Sequence, residues 1–295
     1  MIAIRIEKIA LRYLVEQVKS GWLERAEERT NNLTQLGRYE ESSSIWGEIK
    51  EVFFDLQGEK CAYCETSLKP LQHGSVESDI EHYRPKGKVT IYPKADDGFS
   101  YSFSTGNAAN GYYWLAYDLE NYALCCKTCN TGLKAEHFPI AGTRGKAVQS
   151  TEELDKLELP LLLFPYRDDP TEFIDFFGAS PQIRHLNGHL YNRAQVTLDF
   201  FRLAHVHSRE DLYLERFAVI RQLYLAFENT VKEHSPERLQ SDQELIFAFT
   251  SPQSEHTACA RAYLQLLETN FVEAWQIYEE AAAFKIRKSQ SKGNS

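Results

Sequence analysis

Residues 121–134 read NYALCCKTCNTGLK, an apolar run that ends in two adjacent cysteines, with a third cysteine, an asparagine and a lysine beyond. Tyr122–Cys126 predicts a short strand, and CNTGLKAEH (129–137) a short helix with Cys129 near its first turn. On such a helix Asn130 and Lys134 are four apart and share a face. Cys126 and Cys129 stand at C-x-x-C spacing, and KCAYCE holds the same spacing at Cys61 and Cys64, about sixty residues earlier. Two residues between thiols let a tight turn aim both sulfurs at one ion, at about 2.3 Å each, and a second pair completes a tetrahedron. Cys61, Cys64, Cys126 and Cys129 are therefore candidate ligands of a structural Zn²⁺ that fastens two distant segments. A four-thiolate site is closed and leaves no open position for chemistry. Disulfides or buried free thiols are the alternatives. A reducing compartment disfavours the first, and the second does not account for two equal spacings. Cys125 is read as the spare, directed away from the metal, and Cys259, in a helical pattern, as core.

Between the two pairs lies SDIEHYRPKGK (78–88), which sets Glu81 beside His82 and follows them with Pro85 and several basic residues. Alone, an acid next to a histidine is an ordinary surface pair. Two strands and a helix pinned by zinc at their ends would bring His82 and Asn130 together, which makes the pair a candidate site. ADDGFSYSFSTGNAANG (95–111), rich in Gly, Asn, Ser and Asp, reads as a surface loop. His137 is read as structural. His205 and His207 have metal-pair spacing but no third ligand, and are read as a helix terminus.

Taken in order, Cys61-Cys64, Glu81-His82 with Pro85, Asn121 with Leu124, Cys126-Cys129-Asn130 and Lys134 resemble the HNH endonucleases over roughly residues 57–140. The resemblance implies a small zinc-stabilised ββα-metal core. Asn121 matches the middle Asn of the motif, whose expected role is to hold the His82 segment through hydrogen bonds to backbone. Glu81 stands where many such sites have Asp or His, and Lys134 falls one residue later than the usual Asn-x-x-Lys. KCAYCE, EHYRPK, YYWLAYDLENY, LLFPYRDDP and the later YNRAQVTLDFFRLAHVHSREDLYLER are similar to the PtuB-like HNH effectors of Septu and retron-associated antiphage defence. That likeness implies an ABC/SMC-like (PtuA-like) partner ATPase.

The chemistry of phosphodiester hydrolysis suits these side chains. His82, with an ordinary pKa near 6.5, is the candidate general base. Glu81 and Asn130 are candidate oxygen ligands for one hard cation, Mg²⁺ or Mn²⁺, which keeps several waters and needs few protein ligands. Arg84, Lys86 and Lys134 are candidate phosphate contacts. The plainer alternatives are a capping or surface His82, an Asn130 that only caps a helix, a Glu81 that pairs with Arg84, and Asp79 as the rival metal ligand. At the level of function the expectation is a metal-dependent endonuclease, with DNA favoured as substrate. The alternatives are an RNA nuclease, acting on tRNA for example, or a non-catalytic zinc-knuckle adaptor. An adaptor needs the four cysteines but has no use for the set Glu81, His82, Asn121 and Asn130.

The chain of 295 residues carries a net charge of −9, unusual for a protein that contacts phosphates. From His82 to Lys146, however, eight basic residues stand against five acidic ones. No apolar run reaches the roughly 18–20 residues of a membrane helix, and MIAIRIEKIALRYLVEQVKSGW has charges inside its apolar pattern. The expected location is cytoplasmic, without membrane contact. The expected fold is α+β and mostly helical, with a small zinc-stabilised core flanked by N- and C-terminal helical regions. Its segments are an N-terminal helical part (1–56), the nuclease core (57–145), a connector lying on that core (146–190), a C-terminal helical region (191–288) and a disordered end (289–295). SSSIWGEIKEVFFDL (42–56) is expected to pack on the zinc-bearing core.

Overall fold

The computed structural model describes residues 1–68, 77–232 and 235–293, with side chains as far as residue 284. Two helices, α1 (Lys8–Val18) and α2 (Trp22–Leu36), open the chain, and a 3₁₀ turn at Trp46–Ile49 leads into α3 (Lys50–Leu56). Leu11, Val15, Trp22, Ala26 and Leu33 recur at spacings of four and seven and are the buried face of the first two helices. Strands β1 (Ser78–His82), β2 (Lys88–Val89), β3 (Ala109–Asn110) and β4 (Tyr122–Cys126) follow. β1 pairs antiparallel with β4, and β2 with β3. In the first pair Ser78 faces Cys126, Glu81 faces Ala123 and His82 faces Tyr122.

Beyond the strands come helix α4 (Thr151–Glu158), the hairpin β5 (Ile174–Phe177) with β6 (Ser180–Ile183), and helices α5 (Gly188–Phe200), α6 (Glu210–Val231), α7 (Pro236–Thr250), α8 (Thr257–Thr269) and α9 (Phe271–Gly293). A reciprocal cap starts α4: Ser150 Oγ accepts from Glu153 N at 3.3 Å and Ser150 N donates to Glu153 Oε2 at 2.8 Å. The architecture is mixed α/β with small two-stranded sheets. The helices expected in the C-terminal region are present, with ends shifted by a few residues. The α9 backbone continues as helix to Gly293 rather than ending before the expected disordered tail, of which residues 294–295 lie outside the described part. No described helix is long and apolar enough to cross a membrane.

One apolar cluster runs from Met1 to Leu212 and crosses the sequence boundaries at 56 and 145. A second cluster, built mostly from α6, α8 and α9, includes Ile220, Leu223, Tyr263 and Ile277. Leu161, Leu162, Leu163 and Phe164 are wholly buried. This LLLF run lies inside the main core and not on its surface, because its backbone is paired at both flanks: Leu161 N bonds Pro139 O at 3.0 Å and Leu163 N bonds Thr197 Oγ1 at 2.9 Å. Gly111 lets the turn after Pro85 pack against the chain before Tyr112. A Cβ there would fall 2.4 Å from the Lys86 carbonyl oxygen.

Shortening Leu162 to Ala removes apolar volume from a site with no exposure and is expected to destabilise the protein by about 2–5 kcal/mol. Urea unfolding of Leu162→Ala against the parent measures it; a difference below about 1 kcal/mol would show that the segment is peripheral.

Candidate active site and metal centre

The sulfurs of Cys61, Cys64, Cys126 and Cys129 all lie within 4.8 Å of one another, and Cys64 and Cys126 are 3.8 Å apart. Metal–sulfur bonds of about 2.3 Å at tetrahedral angles place sulfurs about 3.8 Å apart, so the cage has the dimensions of a four-thiolate metal site. Cys125 is buried but is not one of the four, and Cys259 is buried in the second core. Local bonds shape the first knuckle: Cys61 N donates to Thr66 O and Glu65 N to Cys61 O, both at 3.0 Å. Glu65 takes a left-handed backbone (φ 57–62° is shared by Glu59 and Glu65) and carries a buried carboxylate. That carboxylate accepts from Lys60 Nζ at 3.2 Å and from Ala258 N at 3.3 Å. Lys60 and the Met1 ammonium lower its pKa to about 2 against the penalty of burial.

Beside this cage a cleft of about 430 Å³ is lined by Tyr39, Trp46, Asp79, Glu81, His82, Lys86 and Asn130, among others. The sequence-predicted Glu81, His82 and Asn130 are thus brought to one cavity. β1 carries Glu81 and His82 to it, and the turn after β4 carries Asn130. His82 Nε2 stands 3.0 Å from the Ala116 carbonyl oxygen. A carbonyl only accepts, so Nε2 bears the proton and Nδ1 keeps its lone pair. The ring is gripped edge-on by Trp46, with centroids 4.8 Å apart, and by Tyr122 at 5.0 Å. Burial, reinforced by the Lys86 ammonium, holds the imidazole well below its usual pKa, and therefore neutral.

Asn121 is fully buried and clamps Arg84, two residues beyond His82: its Oδ1 accepts from Arg84 N at 2.7 Å, and its Nδ2 donates to Arg84 O at 3.0 Å and Leu115 O at 3.2 Å. Those bonds fix the chain immediately after His82. Lys86 lies on the cleft wall with Nζ 4.7 Å from the Trp46 ring and 5.3 Å from the Tyr39 ring. Trp46 and Tyr39 come from the N-terminal segment. The apolar pattern around Trp46 placed it on the core, but no local signal tied it to His82.

Two of the three expected phosphate contacts need correction. Arg84 has no exposure; Nε meets Glu158 at 2.9 Å and Nη2 meets Asp155 at 2.8 Å, both on α4. Lys134 is equally buried, with Nζ 3.0 Å from Glu81 Oε1 and 3.2 Å from His82 O. Neither cation reaches a ligand in solvent. Glu81 accordingly pairs with Lys134 and not with Arg84; burial raises its pKa while Lys134 opposes the rise. The short helix is also not α-helical. Thr128–Lys134 is π-helical, with Gly132 N bonded to Lys127 O at 3.0 Å and Ala135 N to Asn130 O at 2.7 Å. A π turn is wider by one residue, which absorbs the extra residue before Lys134 and separates it from Asn130: one goes under the site, the other into the cleft. Asp79 lies on the same cleft but pairs with Lys127.

Fold and site together define a mixed α/β protein in which four cysteines positioned to hold a metal ion adjoin a carboxylate–histidine cleft. Over 128 residues, 43% of its length, the chain is 33% identical to the Septu protein PtuB of Bacillus mycoides (strain KBAB4). It is PtuB-like over that stretch, which spans 38% of the relative's own length. No protein-family model and no solved structure matches the chain significantly.

Replacing Lys134 by Met leaves the Glu81 carboxylate buried without its cation. An expected loss of about 3–5 kcal/mol follows, to be read from urea unfolding. Stability equal to the parent would mean that the pair does not hold the floor of the cleft.

Proposed function

We propose that this chain is a metal-dependent nuclease of the HNH type, the effector of a Septu-like antiphage defence system, with DNA its favoured substrate. The observation that carries the reading is the setting of His82: Nε2–H is tied to a main-chain carbonyl, Nδ1 is left as an acceptor, and Glu81 and Asn130 line the same cleft. The PtuB-like stretch supports it. On this reading β1, β4 and the π turn are the two strands and helix of a ββα-metal core, and zinc fills the cysteine cage. Glu81 and Asn130 offer oxygen donors, the type that Mg²⁺ or Mn²⁺ selects. Such a cation supplies polarisation of the phosphate and stabilisation of the leaving oxygen. His82 takes the proton of the attacking water at Nδ1. Trp46 and Ala116 keep the ring from turning, Asn121 keeps its backbone in place, and Lys86 meets the phosphate from the cleft wall.

Cleavage of DNA in Mg²⁺ that stops in EDTA is the expected result, with RNA as the parallel substrate. His82→Ala should slow it by about 10²–10⁴-fold while circular dichroism and zinc content stay at parent values. A variant that cuts at the parent rate removes His82 from the mechanism.

The charge balance bears on the partner. A chain of net charge −9 repels a polyanion, and two of the basic residues near the site are sealed inside. Tight non-specific binding needs many phosphate contacts. A PtuA-like ATPase of the ABC/SMC type is the proposed source of substrate capture. Weak gel-shift binding and slow cutting by the protein alone are expected at ~150 mM salt; tight, fast, partner-independent action at that salt would refute this.

A further inference from the structure

Helix α6 and the residue that caps it hold two arginines, Arg209 and Arg216, seven apart and therefore on one face. They are 9% and 2% exposed. Arg209 Nη1 donates to Phe201 O at 2.6 Å and lies 4.0 Å from Cys129 Sγ. Arg216 Nη1 donates to Ala179 O and Leu203 O, each at 3.0 Å, and its Nε has no partner. Among the described residues neither guanidinium has a carboxylate at ion-pair distance, whereas Arg84 and Arg193 do. Glu215, on the same helix, is turned instead to Thr66 Oγ1 and His256 Nε2, both at 3.0 Å.

A buried cation without an anion is strongly unfavourable. Arg209 sits, moreover, at the N-terminal end of a long helix, where the aligned peptide dipoles repel positive charge. The anion that answers it is the sulfur cage. Four thiolates around one Zn²⁺ carry a net charge of −2, and the Arg209 guanidinium, 4.0 Å from Cys129 Sγ, offsets part of it.

We infer that Arg209 is the counter-charge and positioning residue of the metal–thiolate centre, so that the C-terminal helix it caps helps to hold the metal. The inference rests on the zinc reading of the cage. Its chemistry is electrostatic: the guanidinium offsets thiolate charge that the interior cannot solvate, and so slows loss of the metal.

The experiment uses the full chain and follows zinc release to a colorimetric chelator, after the folded state of each variant is checked by circular dichroism. Arg209→Gln keeps polar N–H groups and removes the charge; Arg209→Lys keeps the charge. Outer partners of metal ligands typically matter by about 10–100-fold, so Arg209→Gln should release zinc about 10-fold faster or more, with Arg209→Lys close to the parent. Arg193→Gln, which breaks a part-buried ion pair elsewhere, should release zinc at the parent rate. Parent protein without zinc would sink the zinc reading itself. Parent protein with zinc, and Arg209→Gln no faster than Arg209→Lys or than Arg193→Gln, would overturn the inference about arginine. If Arg209→Gln does not fold, Arg209→Met becomes the neutral variant, and a release rate no faster than that of Arg209→Lys overturns it equally.

Discussion

Convergence of four sulfurs from two segments about sixty residues apart is the constraint from which the site follows. Cys126 is the last residue of β4 and lies opposite Ser78, the first residue of β1. Holding Cys126 in the cage therefore fixes the end of β4 against which β1 begins. A slip of one residue would turn every side chain of β1 to the opposite face, taking Glu81 from Lys134 and His82 from the Ala116 carbonyl. Three residues beyond Cys126, Cys129 returns the chain to the cage, and Asn130 is delivered to the cleft as the next residue. The cage does no chemistry. It anchors the end of β4 and the turn that carries Asn130.

Much of this was legible because it is local. Doubled C-x-x-C spacing announces a cage whatever else the chain does, and an apolar run before Cys126 announces β4. Asn121 was legible by resemblance as a backbone clamp, and its three bonds to Arg84 and Leu115 have that character. The π turn was half legible: the one-residue displacement of Lys134 was visible, but a spacing alone does not say whether a helix widens or a residue changes role.

Arg84 and Lys134 were misread for a physical reason. A positive charge near a candidate site is attracted equally by a substrate phosphate and by a protein carboxylate, and sequence does not reveal which is nearer. The carboxylates that take Arg84 are Asp155 and Glu158, more than seventy residues along on α4; the one that takes Lys134 is the supposed metal ligand itself. Both pairs form in a low-dielectric interior, where an unmatched charge is strongly penalised. Lys86 escapes this fate because aromatic rings, rather than an acid, hold it. The LLLF run shows a related limit for apolar residues: its partners, Pro139 O and Thr197 Oγ1, lie on distant segments of the chain.

These partners decide how independent the metal-bearing segment is. His82 leans on Trp46 from the N-terminal segment, and Arg84 is neutralised from α4. Lys60, next to the first cysteine, donates to Ser254 O at 2.6 Å and Thr257 Oγ1 at 2.8 Å at the start of α8. Tyr63, inside the first knuckle, stacks on Phe201 with ring centroids 4.0 Å apart. Cutting the chain at 57 and 145 would strip an edge from the His82 imidazole, expose the guanidinium of Arg84 to water and unseat the knuckle from its aromatic support. A small core can survive with few apolar contacts if a metal staples it. Here, however, the staple fixes only the end of β4 and the turn that carries Asn130, while the walls of the cleft come from both flanks. The helical regions are therefore part of the site's construction, and a surface on them that moved would have a packed path, through Phe201 and Tyr63, to the cysteine cage.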